Sequence, residues 1–389
     1  MLGTMGKKIR TETIHYGVDP DIHYGSINDP IYKNSTLVFQ DYKSFLEAKK
    51  DRFNVPYYGR ISTYTTRRFG QLGSKLYNAK KSVVTSSGLS AITITFLALL
   101  KKDDEILISE NCYEPVYNFA TYELKKFGIK SHFFSNNRKS IDKIINNKTK
   151  ILYIESPGSL NYEVSDIKEI VKLCKKKKII TVMDNTWSTF LGCNPLEIGV
   201  DIVIESLTKY FSGHSDNFLG LIVLNSNELA RKIKTTSVRL GDYVSPESCF
   251  HATKGLKTLK LRIEKHIENA DKIFNYLKSK KIVKKILYLP DQKNKFHELW
   301  KKYHKQSNGL ITFSIHKKKN IELFIDKLKL FKIGFSWGGY ESLIIPISNL
   351  KPTKKLSKKS EYWFRIHVGL ESCSDLINDL EKAFKNYEK

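Results

Sequence analysis

Residues 179–210 read IITVMDNTWSTFLGCNPLEIGVDIVIESLTKY, and two short apolar runs in them, Ile179–Met183 and Asp201–Glu205, decide the fold. Neither alternates between polar and apolar residues, as a strand with one wet face does. Brief continuous runs of this kind suit strands covered on both sides. The same texture recurs at Ser82–Thr85, Glu105–Ser109, Lys150–Glu155 and Leu219–Leu224. Helical patterns lie between them. Ser86-Ser87-Gly88 opens one that runs through Leu100, Pro115–Phe127 carries another up to Gly128, and Ile167, Ile170, Val171 and Cys174 fall at helical spacing. Strands alternating with helices predict an α/β fold, a large and mostly parallel sheet with helices on both faces. Such a sheet presents its functional groups at the carboxyl ends of its strands.

Beyond Val244 the texture changes. Ile267, Ala270, Ile273, Phe274 and Leu277 form one helical stripe, Leu310–Ile315 and Trp363–Leu370 read as strands, and a helix is expected near Ile321–Leu330. This less regular mixture predicts a smaller C-terminal α+β domain. The first 57 residues are weakly periodic and read as an extended arm. The expected division is an arm over 1–57, an α/β domain over 58–246 and an α+β domain over 247–389.

Composition narrows the class. Of 389 residues, 41% are hydrophobic and 27% charged, with only 21 glycines and 10 prolines, which excludes disordered and collagen-like chains. The longest mainly apolar stretch, Leu89–Leu100, is too short to cross a bilayer, so no membrane partner is expected. Met1–Gly17 lacks the apolar core of a signal peptide, and a cytoplasmic location is expected. The five cysteines are scattered singly, without the spacing of a zinc site or a disulfide framework. The formal charge is +26, from 66 Lys and Arg against 40 Asp and Glu. Lysine runs at 175–178, 278–281 and 317–319 sit at element ends without any nucleic-acid-binding signature, so the charge reads as a lysine-rich surface.

Chemistry concentrates at three strand ends. Lys209 follows a buried strand, where an amine kept from water can lose its proton and bond to an aldehyde. Asp184 ends the neighbouring apolar run and is placed to pair with a protonated pyridine nitrogen, although a turn cap for Asn185-Thr186 is an equally ordinary use of it. Ser86-Ser87-Gly88-Leu89-Ser90 is a strand-to-helix turn of small residues whose free N–H groups suit a phosphate. Near the C-terminus, Trp363, Arg365 and His367 alternate with Phe364, Ile366 and Val368, so Arg365 points away from the apolar face, where a guanidinium can grip a carboxylate.

These residues, together with Tyr58-Gly59-Arg60, Asn111–Pro115, Glu155–Gly158, Asp184–Trp187, Thr208–Tyr210, Gly213–Asp216 and Ser336–Ser342, resemble the Cys/Met-metabolism family of pyridoxal-phosphate (PLP) enzymes. The resemblance spans nearly the whole chain. It implies PLP-dependent transferase fold type I and pyridoxal 5'-phosphate as cofactor. Lys209 matches the lysine that bonds the cofactor and moves protons, Asp184 the partner of its ring nitrogen, and Tyr113 the aromatic residue over its ring. Gly88, Leu89, Ser206 and Thr208 match the phosphate site, and Tyr58 and Arg60 match residues that reach it from a neighbouring subunit. Arg365 matches the α-carboxylate clamp, with Ser336 and Trp337 beside it and Tyr340 near the distal pocket. Trp337 with Tyr340 resembles the members that break a carbon–sulfur bond β to the amino group, as in L-cystathionine, whereas γ-acting members resemble Ser-Leu-Gly-Gly here. The implied partners are a small sulfur amino acid and three further copies of the chain, in a homotetramer of two active dimers.

Overall fold

In the computed structural model, which describes residues 9–16, 18–135, 138–347 and 360–389, the six apolar runs and one strand the sequence did not suggest, Lys130–Phe134, form a seven-stranded sheet. Its strands are β1 (Lys81–Thr85), β2 (Glu105–Ser109), β3 (Lys130–Phe134), β4 (Thr149–Glu155), β5 (Ile180–Asp184), β6 (Ile202–Ser206) and β7 (Gly220–Leu224), in the spatial order β1-β7-β6-β5-β4-β2-β3. Strand β7 runs antiparallel to both its neighbours, and the ladder from β6 to β3 is parallel. Strands β2 and β7 are buried at every residue, as their unbroken apolar runs require.

The helices that matter to the site are α1 (Ile9–His15), α2 (Tyr42–Lys50), α3 (Tyr64–Leu76), α4 (Gly88–Leu99), α5 (Ile167–Lys177), α6 (Asn227–Arg239), α7 (Pro246–Ser279) and α8 (Cys373–Glu388). Helix α4 has no polar face because it lies between the sheet and α6, and its Ile92, Ile94 and Phe96 are buried. Helix α5 is amphipathic: Ile167, Ile170, Val171 and Cys174 face the core, and Lys175, Lys176 and Lys177 occupy its last turn, where cations suit the helix dipole. One of the lysine runs is thus a solvated helix end.

A second sheet contains β8 (Val283–Leu287), β9 (Leu310–His316), β10 (Lys332–Ile333), β11 (Leu343–Pro346) and β12 (Glu361–His367), in the order β10-β11-β12-β9-β8. Helix α7 joins the two cores. Its Cys249, Leu256 and Ile263 pack in the large one, and its Ala270, Ile273 and Leu277 in the small one.

Four expectations change. The arm carries helices α1 and α2, the latter fixed by a reciprocal cap between Asp41 and Ser44. The helix expected over 115–127 is wound as a π-helix from Phe119 to Glu123. Near 321–330 only Glu322–Ile325 is helical, and Asp379 of α8 takes the N–H groups of Lys329, Leu330 and Phe331 that a longer helix would have bonded internally. The last strand is Glu361–His367: the Val368 N–H still bonds the Gly309 carbonyl in register, but the Leu370 N–H turns to the Tyr340 carbonyl.

Candidate active site

Parallel pairing places Glu155 directly opposite Asp184 at the ends of β4 and β5. Both carboxyls are buried. Asp184 accepts the Thr186 N–H at 2.9 Å and, at 3.3 Å, the hydroxyl of Tyr153. It is thus both a turn cap and a group aimed into the site. Glu155 accepts the backbone N–H of Tyr113 at 2.6 Å and of Ser159 at 3.1 Å. Burial, reinforced for Glu155 by the charge of Asp184, pushes both carboxyls above their ordinary range.

Lys209 lies three residues beyond the last residue of β6, Ser206, and its side chain is partly buried. It donates to the Ser336 hydroxyl at 2.8 Å and sits 5.6 Å from the centre of the Trp337 ring. Burial, with Arg365 nearby, lowers its pKa to about 8. An amine in that state is a competent nucleophile and base near neutral pH, which a solvated lysine is not.

Arg365, 6% exposed, points from β12 toward the same loop. It donates to the Ser336 carbonyl at 3.0 Å and, more weakly, to the Ser159 carbonyl at 3.5 Å. Ser336 therefore joins the two cations, its hydroxyl to Lys209 and its carbonyl to Arg365. It does so at φ +106°, a conformation costly for a residue with a Cβ. Gly338, at φ +85°, follows; a Cβ there would come within 2.5 Å of the Tyr210 nitrogen, so only glycine lets the loop lie against the Lys209 backbone. Trp337 is buried with its ring 5.4 Å from that of Tyr210 and tilted 56° to it, whereas Tyr340 is 55% exposed.

At the phosphate-type turn, Ser87 caps α4 by accepting the Ser90 N–H at 3.0 Å. The N–H groups of Gly88 and Leu89 belong to the first turn, which has no intrahelical acceptors for them. A Cβ on Gly88 would lie 2.5 Å from that of Ser206, so glycine permits the close approach that brings the Ser206 hydroxyl to the helix start. The Thr208 oxygen accepts the Leu219 N–H at 3.2 Å and keeps its own hydrogen to donate. Tyr113 is half-exposed, and burial of its hydroxyl beside Glu155 raises its pKa, so it stays protonated.

Lys209, Ser336, Trp337 and Arg365 thus converge through direct contacts; Asp184 is close enough for its charge to act on Lys209, and Tyr113 is close enough to feel Arg365. Tyr58 and Arg60 do not join them. Arg60 donates to the Val238 carbonyl at 2.8 Å, at the end of α6, and Tyr58 is 42% exposed. Sequence reasoning gave no role to Glu155 or Tyr153. A usable signal for Glu155 was present, since β4 ends on an acid just as β5 does. Among the described residues there is no cluster able to hold a metal ion and no helix long and apolar enough to span a membrane.

The site suits a phosphorylated pyridine aldehyde. It offers N–H and hydroxyl donors at a helix start, an amine of lowered pKa, and a buried carboxyl, Asp184, to which Tyr153 and Thr186 donate and which has no cationic hydrogen-bond partner among the described residues. Comparison with known proteins agrees. The model of the family "Cys/Met metabolism PLP-dependent enzyme" matches residues 10–385. An L-alanine/L-glutamate racemase of Wolbachia pipientis is 33% identical, with 92% of each chain covered. Cystathionine beta-lyase MetC of Escherichia coli is 31% identical over 97% of this chain and 98% of its own. The solved cystathionine gamma-lyase from Lactobacillus plantarum, complexed with L-serine, superposes with a TM-score of 0.90 at 28% identity, covering 98% of this chain and all of the other.

Proposed function

From a chain that belongs to the Cys/Met metabolism family of PLP-dependent enzymes, we propose a carbon–sulfur β-lyase that converts L-cystathionine to homocysteine, pyruvate and ammonia, a step toward methionine. The observation that carries this reading is Trp337, buried against Tyr210 with its ring 5.6 Å from the Lys209 amine.

PLP, when bound, supplies an aldehyde for the lysine and an electron-withdrawing ring that stabilises negative charge at the substrate Cα. Lys209 would hold it, Asp184 would face its ring nitrogen, and Gly88, Leu89, Ser206 and Thr208 would take its phosphate. Tyr113 would cover its ring. Arg365 would grip the substrate carboxylate with two parallel donors. With that end fixed, the Lys209 amine is suited to take the Cα proton, and the protonated Tyr113 hydroxyl to give one to the departing sulfur. The indole fills space that γ-elimination needs for proton transfers at Cβ, and it excludes water from the amine. Tyr58 and Arg60 would complete the phosphate site of a neighbouring subunit, within a homotetramer of two active dimers.

A racemase reading has one observation behind it, the 33% identity to the Wolbachia enzyme, and it shares proton removal at Cα with β-elimination. One experiment separates the readings. Purified protein is incubated with L-cystathionine and the keto acids are resolved, while a parallel sample with L-alanine is assayed for the D-isomer. Pyruvate with homocysteine is expected. A dominant 2-oxobutyrate peak would instead assign a γ-lyase, and D-alanine without keto acid would assign a racemase.

A further inference from the structure

Asp242 lies just past the end of α6. After Arg239 the chain turns through Gly241 at φ +76°, and the Asp242 N–H bonds the Ser237 carbonyl at 3.0 Å. This turn aims the carboxylate at the start of α4. Its Oδ1 accepts the Ser86 N–H at 3.2 Å, the Ser86 hydroxyl at 2.5 Å and the Ser90 hydroxyl at 2.7 Å, while Oδ2 meets the Ser237 hydroxyl at 3.5 Å.

Ser86 and Ser90 bracket Gly88 and Leu89. Two fastenings therefore hold this turn: the Ser87 cap, local to the helix, and the Asp242 carboxylate, from a distant helix end. Bonds to an ionised acceptor are roughly twice as strong as neutral ones. The partly buried Lys234 amine, which donates to the Ile61 carbonyl at 3.0 Å, is close enough to Asp242 to feel its charge and offset it.

We propose that Asp242 is a positioning residue for the cofactor phosphate: by fixing Ser86 and Ser90 it holds the Gly88 and Leu89 N–H groups in the arrangement that receives the anion. Two effects of opposite sign meet here. The carboxylate organises the turn, and its charge repels a phosphate. Organisation is the larger, because four donors already engage the carboxylate and Lys234 offsets its charge. The proposal rests on PLP dependence alone. It is tested by cofactor affinity, so its failure is distinguishable from failure of the β-lyase reading.

The full chain is stripped of cofactor and titrated with PLP, following the visible absorbance of the bound cofactor and its phosphorus NMR resonance. The thermal midpoint of the cofactor-free protein is measured alongside. Asp242→Ala should raise the PLP Kd about tenfold and shift the phosphorus resonance, the loss expected for an ion-assisted contact. Asp242→Asn keeps an acceptor and should stay within about threefold of the parent. Unchanged or tighter PLP binding in Asp242→Ala overturns the proposal, as does a lowered thermal midpoint with unaltered affinity and resonance. Should Asp242→Ala not fold, the double variant S86A/S90A removes the hydroxyl contacts from the other side, and unaltered affinity there overturns it equally.

Discussion

Lys209, Asp184 and Glu155 stand at or just beyond the carboxyl ends of neighbouring strands of the large sheet, whereas Ser336, Trp337 and Arg365 come from one loop and one strand of the small sheet. In the first group the backbone ladder does the positioning. Glu155 faces Asp184 because β4 and β5 are paired in register, whichever side chains follow. In the second group side chains do it. Ser336 keeps a left-handed conformation that its own backbone disfavours, and it is tied to Lys209 and Arg365 by its hydroxyl and carbonyl. The large-sheet half is a rigid frame. The small-sheet half is held against that frame by these polar contacts together with the packing of Trp337 and Leu310 into the large core, and its loop is the part in which reaction type can be changed without rebuilding the fold.

The sharpest way to break this comparison is to remove the frame's amine. Lys209→Ala should leave the fold intact and abolish turnover, by at least about a thousandfold, because the proposed attachment to PLP and the proposed proton carrier would both be lost. Borohydride should trap cofactor on Lys209 in the parent protein and leave the variant unlabelled. Mixing Lys209→Ala with Arg60→Ala protein should restore some activity if subunits share phosphate sites. No recovery after demonstrated subunit exchange would remove that sharing.

The counterpart in the small-sheet half is Arg365→Gln. The frame and its cofactor should be undisturbed, so the visible absorbance should persist while kcat/KM for cystathionine falls about a hundredfold, mostly through KM, as expected when a paired carboxylate contact is lost. If cofactor binding collapses along with KM, the two halves are not separable in this way.

The smallest effect sharpens the idea of a rigid frame. Glu205 of β6 is fully buried, accepts a short hydrogen bond from Tyr77, and has its pKa pushed up by burial to about 8. The folded chain therefore keeps this proton over a pH range in which the unfolded chain has released it. Stability should fall as pH rises from roughly 4.5 to 8, with a slope of up to about 1.4 kcal/mol per pH unit from this group. Glu205→Gln, which cannot ionise, should flatten that slope in urea titrations at several pH values. Parallel curves for parent and variant would show that Glu205 is already ionised in the folded state.

The sequence alone determined the large sheet, its helical layers and the strand-end residues Asp184 and Lys209. The reason is local: a strand buried on both faces must be continuously apolar, so a charged group where such a run stops is conspicuous. The face of β12 that carries Arg365 was legible through a different local signal, the alternation of successive side chains between the two faces of a strand. Only the tertiary structure decided that Glu155 lies opposite Asp184, that Asp242 reaches the turn at Ser86 from 156 residues away, and that Ser336 joins Lys209 to Arg365. Those relations depend on strand order, on where a helix ends and on a residue's φ. Each is set by long-range packing, which no short window of sequence contains.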